Sequence, residues 1–251
     1  MSVNEGLLNE QRMILALNNK KFEELNPNLQ TFVMQILPDL DKSRPIECFK
    51  CKEYTKPDIV ISQGKKVRYI SLKTGTADTM HSENVDTFVE FLRENGFDDY
   101  SIESYLLYHY GDGTTDGTGT DRLGVVAVRE KYDKRITALN DALNKSKDFL
   151  KKFADRVMWQ GVNPLEMPAD VIYHGTEEYG CFMSKYQLTR HLERKSWSYM
   201  QFVLHVGPFV IRPRARYPGK EIKNDEFRRK VIVYYPRILA DIPWIRSRYF
   251  F

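Results

Sequence analysis

The sequence predicts an α/β (α+β) fold in which a mixed central sheet is flanked by helices and followed by a β-rich C-terminal extension. Three observations carry that expectation. Two amphipathic stretches open the chain, two β-branched runs around a Gly-bearing turn follow them, and helical and strand-like patterns then alternate toward the C-terminus.

Leu7, Leu8, Ile14, Leu15 and Leu17 share one stripe of a helix from Gly6 to Leu17, with Met13 beside it, and Asn18-Asn19 stops it. Leu29, Phe32, Val33, Ile36 and Leu37 give a second helix from Asn28 to Leu37, ended by Pro38. Arg44 to Glu53 is short and extended. Asp58 to Ser62 and Val67 to Lys73, separated by Gln63-Gly64-Lys65-Lys66, form a hairpin signal, and Thr74-Gly75-Thr76 breaks the second strand. A third helix is expected from Ser82, its N-cap, to Asn95, burying Val85, Phe88, Val89, Phe91 and Leu92, with Gly96 at C′. Ser104 to Tyr110 reads as a strand.

Gly111 to Asp121 lacks the GK[ST] of a phosphate loop and the Glu that ends a calcium-binding loop. So many glycines make ordering costly, and a flexible surface loop or hairpin tip is expected there. Tyr132 to Met158 is helical, and Val171-Ile172-Tyr173 is a strand leading to a turn from Gly175 to Gly180. Ser184 caps a helix to Arg194. Met200 to Val206, Pro208 to Arg212 and Lys230 to Tyr235 are strand-like. With no linker or repeat, the chain reads as a core over 1–110 and a helical, β-rich basic extension over 111–251, packed as one unit.

A chain of 251 residues is long enough for one good hydrophobic core, and 42% hydrophobic with 29% charged residues fits a water-exposed globular surface. No window approaches the roughly 20 apolar residues of a membrane helix, and Met1 to Asn9 lacks the pattern of a secretory signal. Cys48, Cys51 and Cys181 are an odd number and form no disulfide framework, so a reducing, cytoplasmic setting is expected. Cys48 and Cys51 have CxxC spacing, but only His81 is near enough to join them, which leaves a zinc site short of ligands.

Charge is unevenly spread. From Lys185 to Arg248 there are 15 Lys and Arg against 5 Asp and Glu; of the chain's 38 and 34, that leaves 23 against 29 elsewhere. An acidic front and a basic rear suit a polyanionic partner held by one part while chemistry occurs in the other. Trp197, Tyr199, Tyr217, Tyr234, Tyr235 and Trp244 interleave with the basic residues, a pattern that suits nucleic acid.

Phosphodiester hydrolysis needs an acidic pocket for a hard divalent cation and a cation near the developing charge. Asp58 opens one strand of the hairpin; Ser71 and Lys73 lie 13 and 15 residues further on, in the other. Being two apart, Ser71 and Lys73 leave the sheet on one face. A lysine there can touch both an attacking water and a phosphate oxygen. The Leu72 carbonyl between them can ligate a metal.

Pro57-Asp58, the hairpin and Ser71-Leu72-Lys73 resemble the PD…(D/E)xK signature of the PD-(D/E)XK nuclease superfamily. The order helix, strand, strand, helix, strand over Asn4 to Tyr110 is similar to that superfamily's restriction-endonuclease-like core. The resemblance implies a Mg²⁺- or Mn²⁺-dependent endonuclease acting on DNA, restriction enzymes included, with Asp58 binding the metal and Lys73 catalytic. It also admits a homodimer. Position 71, usually Asp or Glu in the family, is Ser here, so the second acid must come from another element. Glu10 on the first helix is the first choice, as many members carry a Glu there; Glu47 is the second and Glu83 the third. His81 reads as a capping or surface residue. The departure at Ser71 also motivates a rival reading, a catalytically inactive nucleic-acid-binding protein on the same fold.

Arg212, Arg214 and Arg216 alternate along an extended segment and would share one face, and Arg228-Arg229-Lys230 adds a second basic cluster. Both suit phosphates and guanine edges. The alternative for the stripe is an edge strand made basic against aggregation.

Overall fold

The two opening helices lie where their apolar periodicity puts them, α1 over Glu5–Leu17 and α2 over Pro27–Ile36. The computed structural model describes residues 5–52, 55–75, 78–119, 122–194, 203–214 and 225–248. In chain order the next elements are β1 (Glu47–Lys50), β2 (Ile59–Gln63), β3 (Lys66–Lys73), β4 (Thr79–Asn84), α3 (Val85–Glu94) and α4 (Asp99–Tyr110). There follow α5 (Val125–Lys131), α6 (Asp133–Asn144), α7 (Lys147–Ala154), a π-helical turn Asp155–Gln160, β5 (Val171–Gly175), β6 (Gly180–Ser184) and α8 (Lys185–Arg194). The last are β7 (Leu204–Val206), β8 (Phe209–Pro213), α9 (Asp225–Arg228), β9 (Lys230–Tyr234) and α10 (Ile238–Arg248).

Two units interleave along the chain. The first takes Met1–Ala77, Asp155–Arg194 and Arg237–Phe251; the second takes Asp78–Ala154 and Lys195–Pro236. A division at 110/111 therefore falls inside the second unit, because the chain returns to the first unit twice after leaving it.

The first unit holds a mixed sheet in the order β1-β2-β3-β5-β6, with β3 and β5 parallel and the other pairs antiparallel. Gln63 pairs with Lys66, so the β2–β3 turn is Gly64-Lys65. Gly64 has φ 64° as the first of the two loop residues, where a type II′ turn requires glycine. Ile59, Ile61, Ile70, Leu72, Val171, Tyr173 and Phe182 form one buried cluster with Met13, Leu17, Leu29, Phe32, Val33 and Ile36 of the first two helices. Asn26 caps α2 by accepting the Leu29 N–H at 2.9 Å, and Pro27 supplies a φ already suited to the first turn.

Phe32 is central to this packing, its ring 4.7 Å from that of Tyr173 and 4.9 Å from that of Phe182. Phe32→Ala is expected to cost about 3–5 kcal/mol in urea unfolding through the cavity it leaves, and Phe32→Leu clearly less.

The second unit holds an antiparallel sheet in the order β4-β9-β8-β7. Phe88, Phe91, Tyr105, Phe149, Phe153 and Phe209 pack ring to ring within it. Here several expectations are corrected. Ser104 to Tyr110 is the end of helix α4, not a strand. Ile102, Tyr105, Tyr108 and His109 recur at helical spacing on its buried face, and Asp98 caps it by accepting the Ser101 N–H at 2.8 Å. Ser82 lies within β4, and Asn84 stands at the N-cap of α3. The expected helix from Tyr132 to Met158 is divided into α6, α7 and the π-helical turn.

The glycine-rich stretch links α4 to α5 and is held by its own polar side chains. Asp112 accepts from the backbone N–H and hydroxyl of Thr114 at 2.9 and 2.8 Å, Asp116 does the same for Thr118 at 3.0 and 2.7 Å, and Arg228 reaches Asp112 and the Gly119 carbonyl. Helix α10 was not legible as a helix in the sequence. Met200 to Phe202, expected at the start of a strand, lie outside the described residues.

Candidate active site

Strand alternation sends Ile70 and Leu72 into the cluster under α1 and α2, so Ser71 and Lys73 leave the opposite face of β3. Ile59 pairs with Ile70, and Asp58, adjacent to Ile59 in the chain, comes beside Ser71. The Asp58 backbone closes the ladder there: its N–H donates to the Ile70 carbonyl at 2.8 Å and its carbonyl accepts from Cys51 at 2.9 Å. Its carboxylate takes over as ladder acceptor for the next residue. Oδ2 accepts the Leu72 N–H at 2.6 Å and the Ser71 hydroxyl at 3.3 Å.

Burial pushes the Asp58 carboxyl up, opposed by the Lys73 ammonium, the bonds from Leu72 and Ser71, and the Lys56 ammonium. Burial lowers the Lys73 ammonium, and the Asp58 charge raises it again. Glu10 is brought near the same place by α1. Burial and the Asp58 charge push its carboxyl up, while Lys50, 3.3 Å from Oε2, pulls it back. Asp58, Ser71, Leu72, Lys73 and Glu10 thus form one electrostatically linked group at the end of the β2–β3 hairpin.

The other candidate acids stand elsewhere. Glu47 is exposed on the face of β1 opposite Cys48 and Lys50, where it accepts the Ser62 hydroxyl at 3.0 Å. Glu83 belongs to the second unit and is buried on β4, 3.2 Å from His81. His81 is accordingly a buried strand residue rather than a cap or a surface histidine.

Three site neighbours escaped the sequence reading. Lys50 follows from no local motif, since it meets Glu10 through the packing of α1 against β1. Lys56 stands two before Asp58, a spacing that could have drawn attention to it, and donates to the Val157 carbonyl of the π-helical turn. His174 is buried and in register with Lys73 across the parallel β3–β5 pair, about 100 residues of non-local pairing that no local pattern encodes.

Mg²⁺ asks for oxygen ligands and settles for one or two carboxylates. Asp58 and Glu10 are the carboxylates that could supply them. The bond from Asp170 N–H to the Tyr69 carbonyl turns Tyr69's peptide groups toward β5, so those of Leu72, three residues on, face Asp58. These donors fit a hard divalent cation. Among the described residues there is no group of three or more His, Cys, Asp or Glu arranged to hold a metal. The CxxC pair is unsuited to one: burial pushes the Cys48 thiol up to about 12 and the Cys51 thiol up to about 11, away from the thiolate a zinc ligand must be.

The basic residues proposed for DNA lie in the second unit. Arg212 points outward from β8, its guanidinium 5.7 Å from the Tyr234 ring centre, and the Arg214 guanidinium sits 4.0 Å from the centre of the Phe227 ring. Arg216 lies outside the described residues. Arg229 is exposed, with Asp86 at 3.8 Å, and Lys230 opens β9. Arg228 is turned inward onto Asp112. Burial alone would raise that carboxyl, but the bonds from Thr114 and Arg228 outweigh it and hold it below the usual range. Arg228→Ala is therefore expected to loosen the 111–119 loop, read as faster amide exchange at Thr114 and Gly117.

No helix among the described residues is long and apolar enough to cross a membrane. No family model matches the chain, and no curated protein matches it. A solved structure to which it is similar is that of restriction endonuclease MspI in complex with its cognate DNA, at 9% identity and a TM-score of 0.49, covering 91% of this chain and 88% of that one.

Proposed function

We propose that this protein is a divalent-cation-dependent endonuclease that hydrolyses DNA phosphodiester bonds in the manner of a PD-(D/E)XK restriction enzyme. The observation that carries this reading is the linkage of Asp58, Glu10 and Lys73 around the Asp58–Leu72 bond of 2.6 Å. Asp58, Glu10 and the Leu72 carbonyl would hold Mg²⁺ or Mn²⁺. Bound there, the ion would supply Lewis-acid stabilisation of phosphoryl charge and a more acidic water.

The chain's own groups have separate tasks. Leu72 N–H and Ser71 fix the orientation of the Asp58 carboxylate through Oδ2, so Ser71 acts as a donor to the first acid instead of being the second. Glu10 replaces the acid missing at 71, and Lys50 helps keep it ionised despite its burial. Lys73, half-buried on β3, holds an attacking water or a non-bridging phosphate oxygen by a charge-assisted hydrogen bond. The basic C-terminal third, with Arg212, Arg214, Arg216, Arg229 and Lys230, would meet the phosphates of DNA.

One observation favours the inactive, DNA-binding reading: the Lys50 ammonium already offers Glu10 an internal counter-charge. Plasmid relaxation in Mg²⁺ or Mn²⁺, against the same reaction in chelator, separates the two. Metal-dependent nicking or linearisation is expected. Salt-sensitive DNA binding without cleavage under either metal supports the inactive reading, and relaxation that persists in chelator overturns the proposed chemistry.

A further inference from the structure

Helices α8 and α10 of the first unit share an outward surface unlike the rest of that unit. Together they carry Lys185, Arg190, Arg194, Arg246 and Arg248 against Glu193 and Asp241, and Asp241 is buried. Two large aromatic side chains stay in water on this surface, Tyr186 at 55% and Trp244 at 40% exposure. Each is overlain by an arginine. The Arg190 guanidinium lies 5.6 Å from the Tyr186 ring centre and donates through Nε to its hydroxyl at 3.3 Å, and the Arg248 guanidinium lies 4.4 Å from the Trp244 ring centre. The buried His191 ring of α8 meets Trp244 edge-on at 4.9 Å, which joins the two helices into one patch.

Arg246 does not belong to this outward set, because its guanidinium covers Phe182 at 3.9 Å and donates to Gln35 at 2.7 Å. Lys185 is paired with Asp155. The outward donors are Arg190, Arg194 and Arg248, of which Arg190 also donates through Nη1 to Glu193 at 3.4 Å. An arginine lying over an exposed ring covers one of its faces but keeps in-plane N–H groups for a phosphate, and the outer face of the guanidinium and the uncovered part of the ring remain open to a base. Alternation of cations and exposed π-faces is what a nucleic-acid strand needs, since every phosphate takes a guanidinium and every base can stack.

We infer that the α8–α10 face, through Tyr186, Arg190, Trp244 and Arg248, is a contact surface for an unpaired DNA strand, with phosphates on the arginines and a base on the indole. This rests on the reading of the protein as one that acts on DNA, and adds to it a grip on the unit that carries Asp58 and Lys73.

The test is titration of the full chain with a fluorescent single-stranded oligonucleotide over a range of salt, in chelator so that no cleavage intervenes. Arg190→Ala/Arg248→Ala is expected to weaken binding about tenfold or more and to shallow the plot of log affinity against log salt by about 1.4, two phosphates at about 0.7 each. Binding should also quench tryptophan emission in the unaltered protein. Trp244→Phe, which keeps a ring for stacking, should abolish that quenching while retaining most of the affinity. Unchanged affinity and slope in the double variant overturn the α8–α10 contact, and leave the DNA reading standing if the unaltered protein binds with steep salt dependence. Polyglutamate binding equal to that of the oligonucleotide, without quenching, overturns it in favour of an acidic protein partner. Absence of salt-dependent binding by the unaltered protein removes this contact and the DNA reading together.

Discussion

Asp58→Ala and Lys73→Ala are each expected to lower the single-turnover rate of plasmid cleavage by about 10³-fold, a loss of about 4 kcal/mol of transition-state stabilisation. The two should part in metal binding. Asp58 is the first ligand of the proposed cation, so Asp58→Ala should also abolish Mn²⁺ binding measured on the protein without DNA. Lys73→Ala should leave it within a few fold. Asp58→Ala additionally removes the acceptor of the Leu72 N–H and the counter-charge of a half-buried lysine. Asp58→Asn retains an acceptor for Leu72 and is the cleaner comparison. Cleavage surviving Asp58→Asn and Lys73→Ala alike would sink the site. Glu10→Gln should lose about 10²-fold, whereas Glu47→Gln, exposed and bonded to Ser62 on the other face of β1, should cleave as the unaltered protein does.

How far this site could be read in advance follows from how local its parts are. The hairpin was legible because Gly64 and its flanking β-branched runs determine it within about fifteen residues, and strand alternation then fixes the faces of Ser71 and Lys73. Glu10 was legible only as a polar residue of the first helix. Its meeting with Lys50 and Asp58 depends on the packing of α1, which no spacing encodes. The segment after the third helix was misjudged for a related reason. The segment from Ser104 to Tyr110 is rich in tyrosine and looked like the next strand, but its capped start and the spacing of Ile102, Tyr105, Tyr108 and His109 favour a helix. The strand that pairs with β3 in parallel is Val171–Gly175, whose apolar run reads as a strand without revealing its neighbour. The same long return interleaves the two units, so a linear cut through the sequence could not separate them.

Mild acid is expected to destabilise the second unit through His109. Its ring is buried on α4, with Nε2 2.9 Å from the Arg228 carbonyl and Nδ1 3.4 Å from the Tyr105 hydroxyl. That arrangement suits a neutral imidazole donating through Nε2. Burial pulls its pKa down to about 3, against the bond to the Arg228 carbonyl, and the Arg122 charge lowers it further. The folded pKa therefore lies below the value of about 6.5 in the unfolded chain. The unfolded state takes up the proton first, so stability is complete above about 6.5 and is lost as pH falls toward 3, at up to about 1.4 kcal/mol per unit. His205, also lowered by burial, acts in the same direction. The stabilisation from Asp41, Asp98, Asp112 and Asp116, whose pKa values are lowered, is present above the ordinary carboxylate range and is lost only as pH falls through it, so the interval from pH 6.5 to 4.5 isolates the histidines from them. Asp58 and Glu10, whose pKa values are raised, bind protons first in the folded state and work in the opposite sense. The measurement is urea unfolding at pH 7 and pH 4.5 for the unaltered protein and His109→Gln, whose amide can keep the bond to Arg228. The drop in stability should be smaller in the variant by about 2–3 kcal/mol, and equal drops would mean that His109 is protonated without unfolding the helix around it.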